Sequence, residues 1–144
     1  MTEKILIKNE DETKEFGITL AKKIKAGDVI ALVGELGTGK TALTKYIAGA
    51  LGVKEEVTSP TFTIIKEYKS GRLPLYHFDV YRISCEEEMI QLGYEEYFYG
   101  DGVCVVEWAD QIAGVIPAGS TVIRMSYGES EFERVYQAGK VEKS

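Results

Sequence analysis

One eight-residue segment constrains this chain more than any other. Gly34-Glu35-Leu36-Gly37-Thr38-Gly39-Lys40-Thr41 matches the pattern G-x-x-x-x-G-K-[ST]. It follows an almost unbroken apolar run, Val29 to Val33, which reads as a central strand buried on both faces. It leads into a predicted helix from Lys40 to about Leu51, with Gly52 placed as a C-terminal glycine cap. Each fixed position has a physical reason. Glycines let the backbone take positive φ and curl closely around an anion. Successive N–H groups then form a nest for phosphate oxygens, and the helix adds its positive end. Lys40 is a point charge within reach of β- and γ-phosphates, and the Thr41 hydroxyl is a magnesium ligand of the right kind. Average residue usage gives a chance match on the order of 0.5% in a chain this long. The competing interpretation is a glycine-rich turn between strand and helix that binds nothing.

The rest of the chain fits an α/β fold. Glu3 to Lys8 reads as a strand, and Asn9 as the N-cap of a helix whose Phe16, Leu20 and Ile24 form the buried face. Phe62 to Tyr68 and Leu75 to Tyr81 read as two strands. Glu86 to Leu92 and Tyr94 to Tyr99 read as short helices, and Val103 to Val106 as a further apolar strand. Thr121 to Ser126 and Phe132 to Ala138 are expected to form a closing hairpin around Gly128, with a helix as the alternative for the second. This predicts a P-loop NTPase-like three-layer sandwich with a mixed, partly parallel central sheet. The 144 residues suit one domain, 1–144.

Composition excludes several classes. The net charge of −6 argues against autonomous binding to nucleic acid, which needs a cationic face. Cys85 and Cys104 have no CxxC spacing, and His77 is the sole histidine, so no zinc site is expected and the thiols read as free. No run approaches the ~18–20 apolar residues of a membrane span, and the segment from Met1 to Ile5 lacks a signal peptide's apolar region. A cytoplasmic location is expected. Asn9 is the sole asparagine, so the Asn-Lys-x-Asp code for guanine is absent and adenine is favoured.

A phosphate cradle needs an acid for magnesium and a group that orients water, and strand C-terminal ends are where open α/β sheets place them. Asp79 ends a largely apolar run; its alternative is a structural pair with Arg82. Glu107 directly follows Val103-Cys104-Val105-Val106, an apolar strand delivering an acid to its tip; its alternative is a cap for Trp108-Ala109-Asp110. Trp108 either stacks near a nucleotide or packs. Thr58-Ser59-Pro60-Thr61-Phe62 stands where a nucleotide-sensing loop would sit, with Thr61 as the sensor, or is an ordinary entry into a strand. Arg134 either closes over the nucleotide or lies on the surface. His77, flanked by apolar residues, reads as structural.

Taken together, Gly34–Thr41, Thr58–Phe62, His77-Phe78-Asp79-Val80-Tyr81-Arg82, Leu92-Gly93-Tyr94-Glu95-Glu96-Tyr97 and Val106-Glu107-Trp108-Ala109 resemble, in order and spacing, the bacterial TsaE-type ATPases. The resemblance runs from the first strand to Arg134. It implies an ATPase in the machinery that makes threonylcarbamoyladenosine at adenosine 37 of tRNAs reading ANN codons. Its partners would be protein subunits of the threonylcarbamoyl-transferase complex, with tRNA reached through them. ATP and Mg²⁺ are the implied cofactors. Leu36, Gly37, Thr38, Gly39, Lys40, Thr41, Ala42, Thr61, Trp108 and Arg134 would contact nucleotide, and Thr41, Glu107 and Asp79 would surround the metal. Lys40, Asp79 and Glu107 would carry the chemistry. Slow turnover in isolation is expected, since Arg72, Arg82, Arg124 and Arg134 are the chain's only arginines. A small-molecule P-loop kinase and an ATP-sensing docking module that needs no hydrolysis are the rival expectations.

Overall fold

The computed structural model describes residues 3–60 and 63–142. It opens with β1 (Glu3–Ile7), an edge strand. Asn9 then caps α1 (Glu10–Lys23), its side chain accepting from the Glu12 N–H at 3.0 Å. Three acids in the first turn and two lysines in the last complement the helix dipole. The most buried stripe of α1 is Thr13, Gly17 and Ala21, with Phe16 and Leu20 only partly buried beside it. The expected face, Phe16, Leu20 and Ile24, does pack on the core, with Ile24 buried, but its centre is shifted toward the small residues. The reason is close packing: a Cβ on Gly17 would lie 3.0 Å from Cβ of Tyr46 on the neighbouring helix, so the small residues sit innermost.

β2 (Val29–Gly34) runs through the middle of the sheet and feeds the glycine loop and α2 (Lys40–Ala50). Gly52 at φ +89 ends that helix as expected. β3 (Ile65–Tyr68) and β4 (Leu75–Asp79) pair antiparallel. Both are shorter than predicted. Ile64 at φ +68 interrupts the extended run before β3, and the Asp79 Oδ1 accepts the Tyr81 N–H, turning the chain out of β4. Phe62 lies outside the described residues. α3 (Glu87–Gln91) and α4 (Tyr94–Phe98) precede β5 (Val103–Glu107), and a kinked 3-10 segment, Ala109–Val115, follows it. β6 (Thr121–Tyr127) and β7 (Arg134–Lys140) form the expected hairpin, both as strands.

The seven strands lie in the order β1-β7-β6-β2-β5-β4-β3. β6, β2, β5 and β4 are mutually parallel, while β1, β7 and β3 are antiparallel to their neighbours. Strand alternation sorts side chains to two faces. Ile30, Leu32, Leu75, Val103, Val105 and Ile123 meet α1 and α2. Val29, Ala31, Tyr76, Phe78, Cys104 and Val106 meet α3, α4 and the 3-10 segment. This is the mixed three-layer α/β sandwich. Period two also places His77 and Asp79 with Leu75, and Glu107 with Val105, on the α2 side.

Candidate active site

The glycine loop is built as its sequence requires. Gly37 and Gly39 take φ +83 and +96, which only glycine adopts without strain. Gly34 carries no side chain because a Cβ there would stand 2.4 Å from the Met125 carbonyl oxygen. Gly39 is the N-cap of α2 and supplies no capping side chain, so the first amides of that helix stay open to an anion.

Lys40 points back into the loop. Its Nζ donates to the carbonyls of Gly34 at 2.7 Å and Glu35 at 2.8 Å, and lies 4.0 Å from the ring centre of Trp108. The residue as a whole is only 5% exposed, and burial lowers the pKa of its ammonium from the ordinary 10.5. The charges of Glu107, Asp110 and Asp79 partly oppose that shift. Trp108 has φ +63, a strained setting for a non-glycine residue, and its ring also meets Tyr81 at 4.7 Å between centroids.

The two acids come together across one step of the sheet. Asp79 and Glu107 are register partners of β4 and β5. The Thr41 hydroxyl, in the first turn of α2, donates to Glu107 Oε1 at 2.9 Å and Oε2 at 3.1 Å. Glu107 is only 2% exposed and does not cap the segment after it. Asp79 accepts from the Ser59 hydroxyl at 2.9 Å and from the Tyr81 N–H at 3.1 Å. Ser59 thereby pins the preceding loop to the sheet, and Lys66 Nζ adds a bond to Thr58 Oγ1 at 2.6 Å.

A cavity of about 320 Å³ gathers Leu36, Gly37, Gly39, Lys40, Thr41, Ala42, Ser59, Asp79, Glu107 and Trp108. Nine of the expected site residues are in that set. Thr38 turns inward to donate to the Glu35 carbonyl at 2.8 Å, and lines a second cavity of about 240 Å³. That cavity adjoins the first through Gly39 and Ala42, and Arg134 stands on its wall with Asn9, Thr13, Phe132 and Tyr136. Arg134 is therefore at the loop: its guanidinium donates to the Gly37 carbonyl at 3.4 Å and lies 4.8 Å over the Tyr127 ring. Thr61 lies outside the described residues. A larger cavity, about 410 Å³, opens on the other face of the sheet beside Ala31, Val33 and Arg124, away from the phosphate loop.

The donor set suits a hard cation. One hydroxyl and two carboxylates supply oxygen alone. Among the described residues no group of three His, Cys, Asp or Glu side chains could enclose a metal unaided. Magnesium usually takes one or two carboxylates and leaves its other positions to phosphate and water.

Sequence reasoning missed Ser59, Asn9, Thr13, Phe132 and the partner of His77. The His77 Nε2 is 2.5 Å from Glu107 Oε2. Ser59 and His77 meet the two acids, while Asn9, Thr13 and Phe132 line the second cavity, and neither grouping exists until the sheet and helices are assembled.

The family model "Threonylcarbamoyl adenosine biosynthesis protein TsaE" matches residues 7–136. The chain belongs to the TsaE family. It is 54% identical over 109 residues to the Bacillus subtilis (strain 168) protein named tRNA threonylcarbamoyladenosine biosynthesis protein TsaE, covering 76% of this chain and 68% of that one. The Treponema pallidum protein of the same name is 40% identical over 118 residues, covering 82% and 87%. A crystal structure of Bacillus subtilis YdiB superposes with a TM-score of 0.81 at 42% identity, covering 99% of this chain and 87% of the other. The match takes in the glycine loop, both acids and Arg134, so TsaE membership spans every element of the candidate site. No helix among the described residues is long and apolar enough to cross a membrane.

Proposed function

We propose that this TsaE-family chain is the ATPase subunit of the machinery that installs threonylcarbamoyladenosine at adenosine 37 of tRNAs reading ANN codons. It binds and hydrolyses Mg-ATP in the cytoplasm, and so drives or resets the threonylcarbamoyl-transfer complex. Its partners are the protein subunits of that complex, and tRNA is engaged through them. The observation that carries this reading is the meeting of Lys40, Thr41, Asp79 and Glu107 on one cavity at the mouth of the glycine loop.

The loop amides and Lys40 bind the phosphates. Thr41, Glu107 and Asp79 would hold Mg²⁺, whose charge would offset that developing on the phosphoryl oxygens. A carboxylate, Asp79 or Glu107, orients the attacking water. The nucleoside is assigned to the second cavity, which Thr38, Gly39 and Arg134 line. Thr61, outside the described residues, is the residue assigned to sensing the γ-phosphate.

The deciding experiment measures ATP hydrolysis by the purified chain with and without the tRNA-modifying partner complex. Slow basal turnover, stimulated by the complex, is expected. Partner-independent phosphorylation of a metabolite would establish a kinase instead. Intact tRNA modification with Glu107→Gln and Asp79→Asn, both lacking turnover, would establish a sensing module.

A further inference from the structure

One buried polar side chain has no part in the scheme above. His77 stands in the middle of β4 with no solvent exposure. Its Nε2 meets Glu107 Oε2 at 2.5 Å, while its Nδ1 is buried with no hydrogen-bond partner among the described residues. A neutral imidazole has one N–H to place. A bare lone pair is better tolerated in a protein interior than a stranded donor, and Glu107 already accepts from Thr41. The proton accordingly sits on Nε2, and His77 donates to the carboxylate.

Packing alone does not account for histidine here. Leu75, two residues earlier on the same face, is an ordinary core residue, and a half-satisfied imidazole is a costlier filler than leucine. What the ring adds is direction. Glu107 projects from the last residue of β5, and a single Thr41 hydroxyl shared between its two oxygens does not by itself fix the plane of the carboxylate. Held by His77 on one oxygen, it presents a fixed plane to the Thr41 hydroxyl.

We propose that His77 is a positioning residue, whose Nε2–H holds the Glu107 carboxylate in the orientation in which it meets Thr41. The inference rests on the Mg-nucleotide reading above. Partners of this kind, one bond removed from a metal, typically change metal affinity by roughly 10- to 100-fold when deleted.

The test uses His77→Leu, which keeps volume and removes the bond, and His77→Gln, whose amide nitrogen occupies the place of Nε2. ADP binding is measured by calorimetry in EDTA, and Mn²⁺ binding to the protein–ADP complex by electron paramagnetic resonance. Leucine is expected to leave metal-free ADP binding unchanged and to weaken Mn²⁺ binding tenfold or more, with glutamine restoring most of the loss. Wild-type Mn²⁺ affinity in a folded His77→Leu protein would overturn the inference. So would a folded His77→Gln protein as weak as the leucine variant, since the role would then be packing. If leucine prevents folding, His77→Asn replaces it, its shorter amide being unable to reach Glu107. Wild-type protein that binds no ADP would instead refute the nucleotide reading itself, a different result from either.

Discussion

The Thr41 hydroxyl donates to both carboxylate oxygens of Glu107, at 2.9 and 3.1 Å, tying the first turn of α2 to the last residue of β5. The pair joins the phosphate loop to the sheet edge that carries the acids. Glu107→Gln should abolish magnesium-dependent ATP hydrolysis by about a hundredfold or more, the usual loss when a preorganised group facing developing charge is removed. The same change should lower the melting temperature modestly, because the amide NH2 cannot accept the buried bonds that Thr41 and His77 give to the two carboxylate oxygens. Thr41→Val should match it in activity, and Thr41→Ser should not. Steady-state ATPase rates and thermal melts check both halves; a Glu107→Gln protein with wild-type turnover would refute the assignment.

Lys40 makes binding sensitive to alkali. Burial holds its pKa below the ordinary 10.5, against the opposing pull of Glu107, Asp110 and Asp79. The ammonium is fully charged below that lowered value and is lost as pH rises through it. ADP affinity should therefore start to fall at a lower pH than an ordinary lysine would allow, and Lys40→Arg should move that edge upward. The stability sign is opposite. The unfolded chain keeps this proton to higher pH, so stability rises with pH across the interval between the folded and unfolded values. Calorimetric ADP titrations at stepped pH measure the first effect, and a profile flat up to 10.5 would contradict it.

Arg134 braces the loop from the other side. It donates to the carbonyls of Glu131 and Glu133, both at 2.9 Å, and reaches the Gly37 carbonyl at 3.4 Å. Arg134→Ala should weaken ADP binding about tenfold, the scale of one or two lost charge-assisted bonds. Arg134→Lys should recover little, because an ammonium lacks the planar fork that serves several carbonyls at once. Equal affinities for the lysine variant and the wild type would show that charge alone matters.

Gly34 is a packing constraint rather than a flexible joint. Its Cβ would stand 2.4 Å from the Met125 carbonyl and 2.9 Å from Thr38 Oγ1. Gly34→Ala should cost about 1–3 kcal/mol, as overpacking does. Urea denaturation reads this as a lower midpoint at unchanged slope, and an unchanged midpoint would mean that the loop and β6 separate freely.

The two thiols should behave differently. Cys104 is buried, and desolvation pushes its pKa from 9.0 up to about 12, whereas Cys85 is exposed. A thiol-specific reagent near neutral pH should titrate one cysteine in the native protein and both in denaturant. The folded chain keeps the Cys104 proton where the unfolded chain has lost it, so stability falls as pH rises above about 9. Tyr76, raised to about 12 chiefly by burial, adds to the same trend. Rapid labelling of both thiols in the native state would contradict the burial.

Features made of contiguous residues are legible in the sequence itself. The loop Gly34–Thr41, the Asn9 cap, the strand that ends in Glu107 and the α/β alternation all follow from neighbours in the chain, where local sterics and period two or 3.6 set the pattern. Strand limits are less legible, because Ile64 and the Asp79 turn act through backbone conformation that composition does not announce. The contacts that define the site are another matter. His77 and Glu107 are 30 residues apart, Thr41 and Glu107 are 66 apart, and Gly37 and Arg134 are 97 apart. No local pattern encodes such pairs. They arise because the order β1-β7-β6-β2-β5-β4-β3 puts β5 beside β4 and brings the β6–β7 hairpin against the loop after β2, and that order depends on which faces bury most apolar surface when the whole chain is assembled.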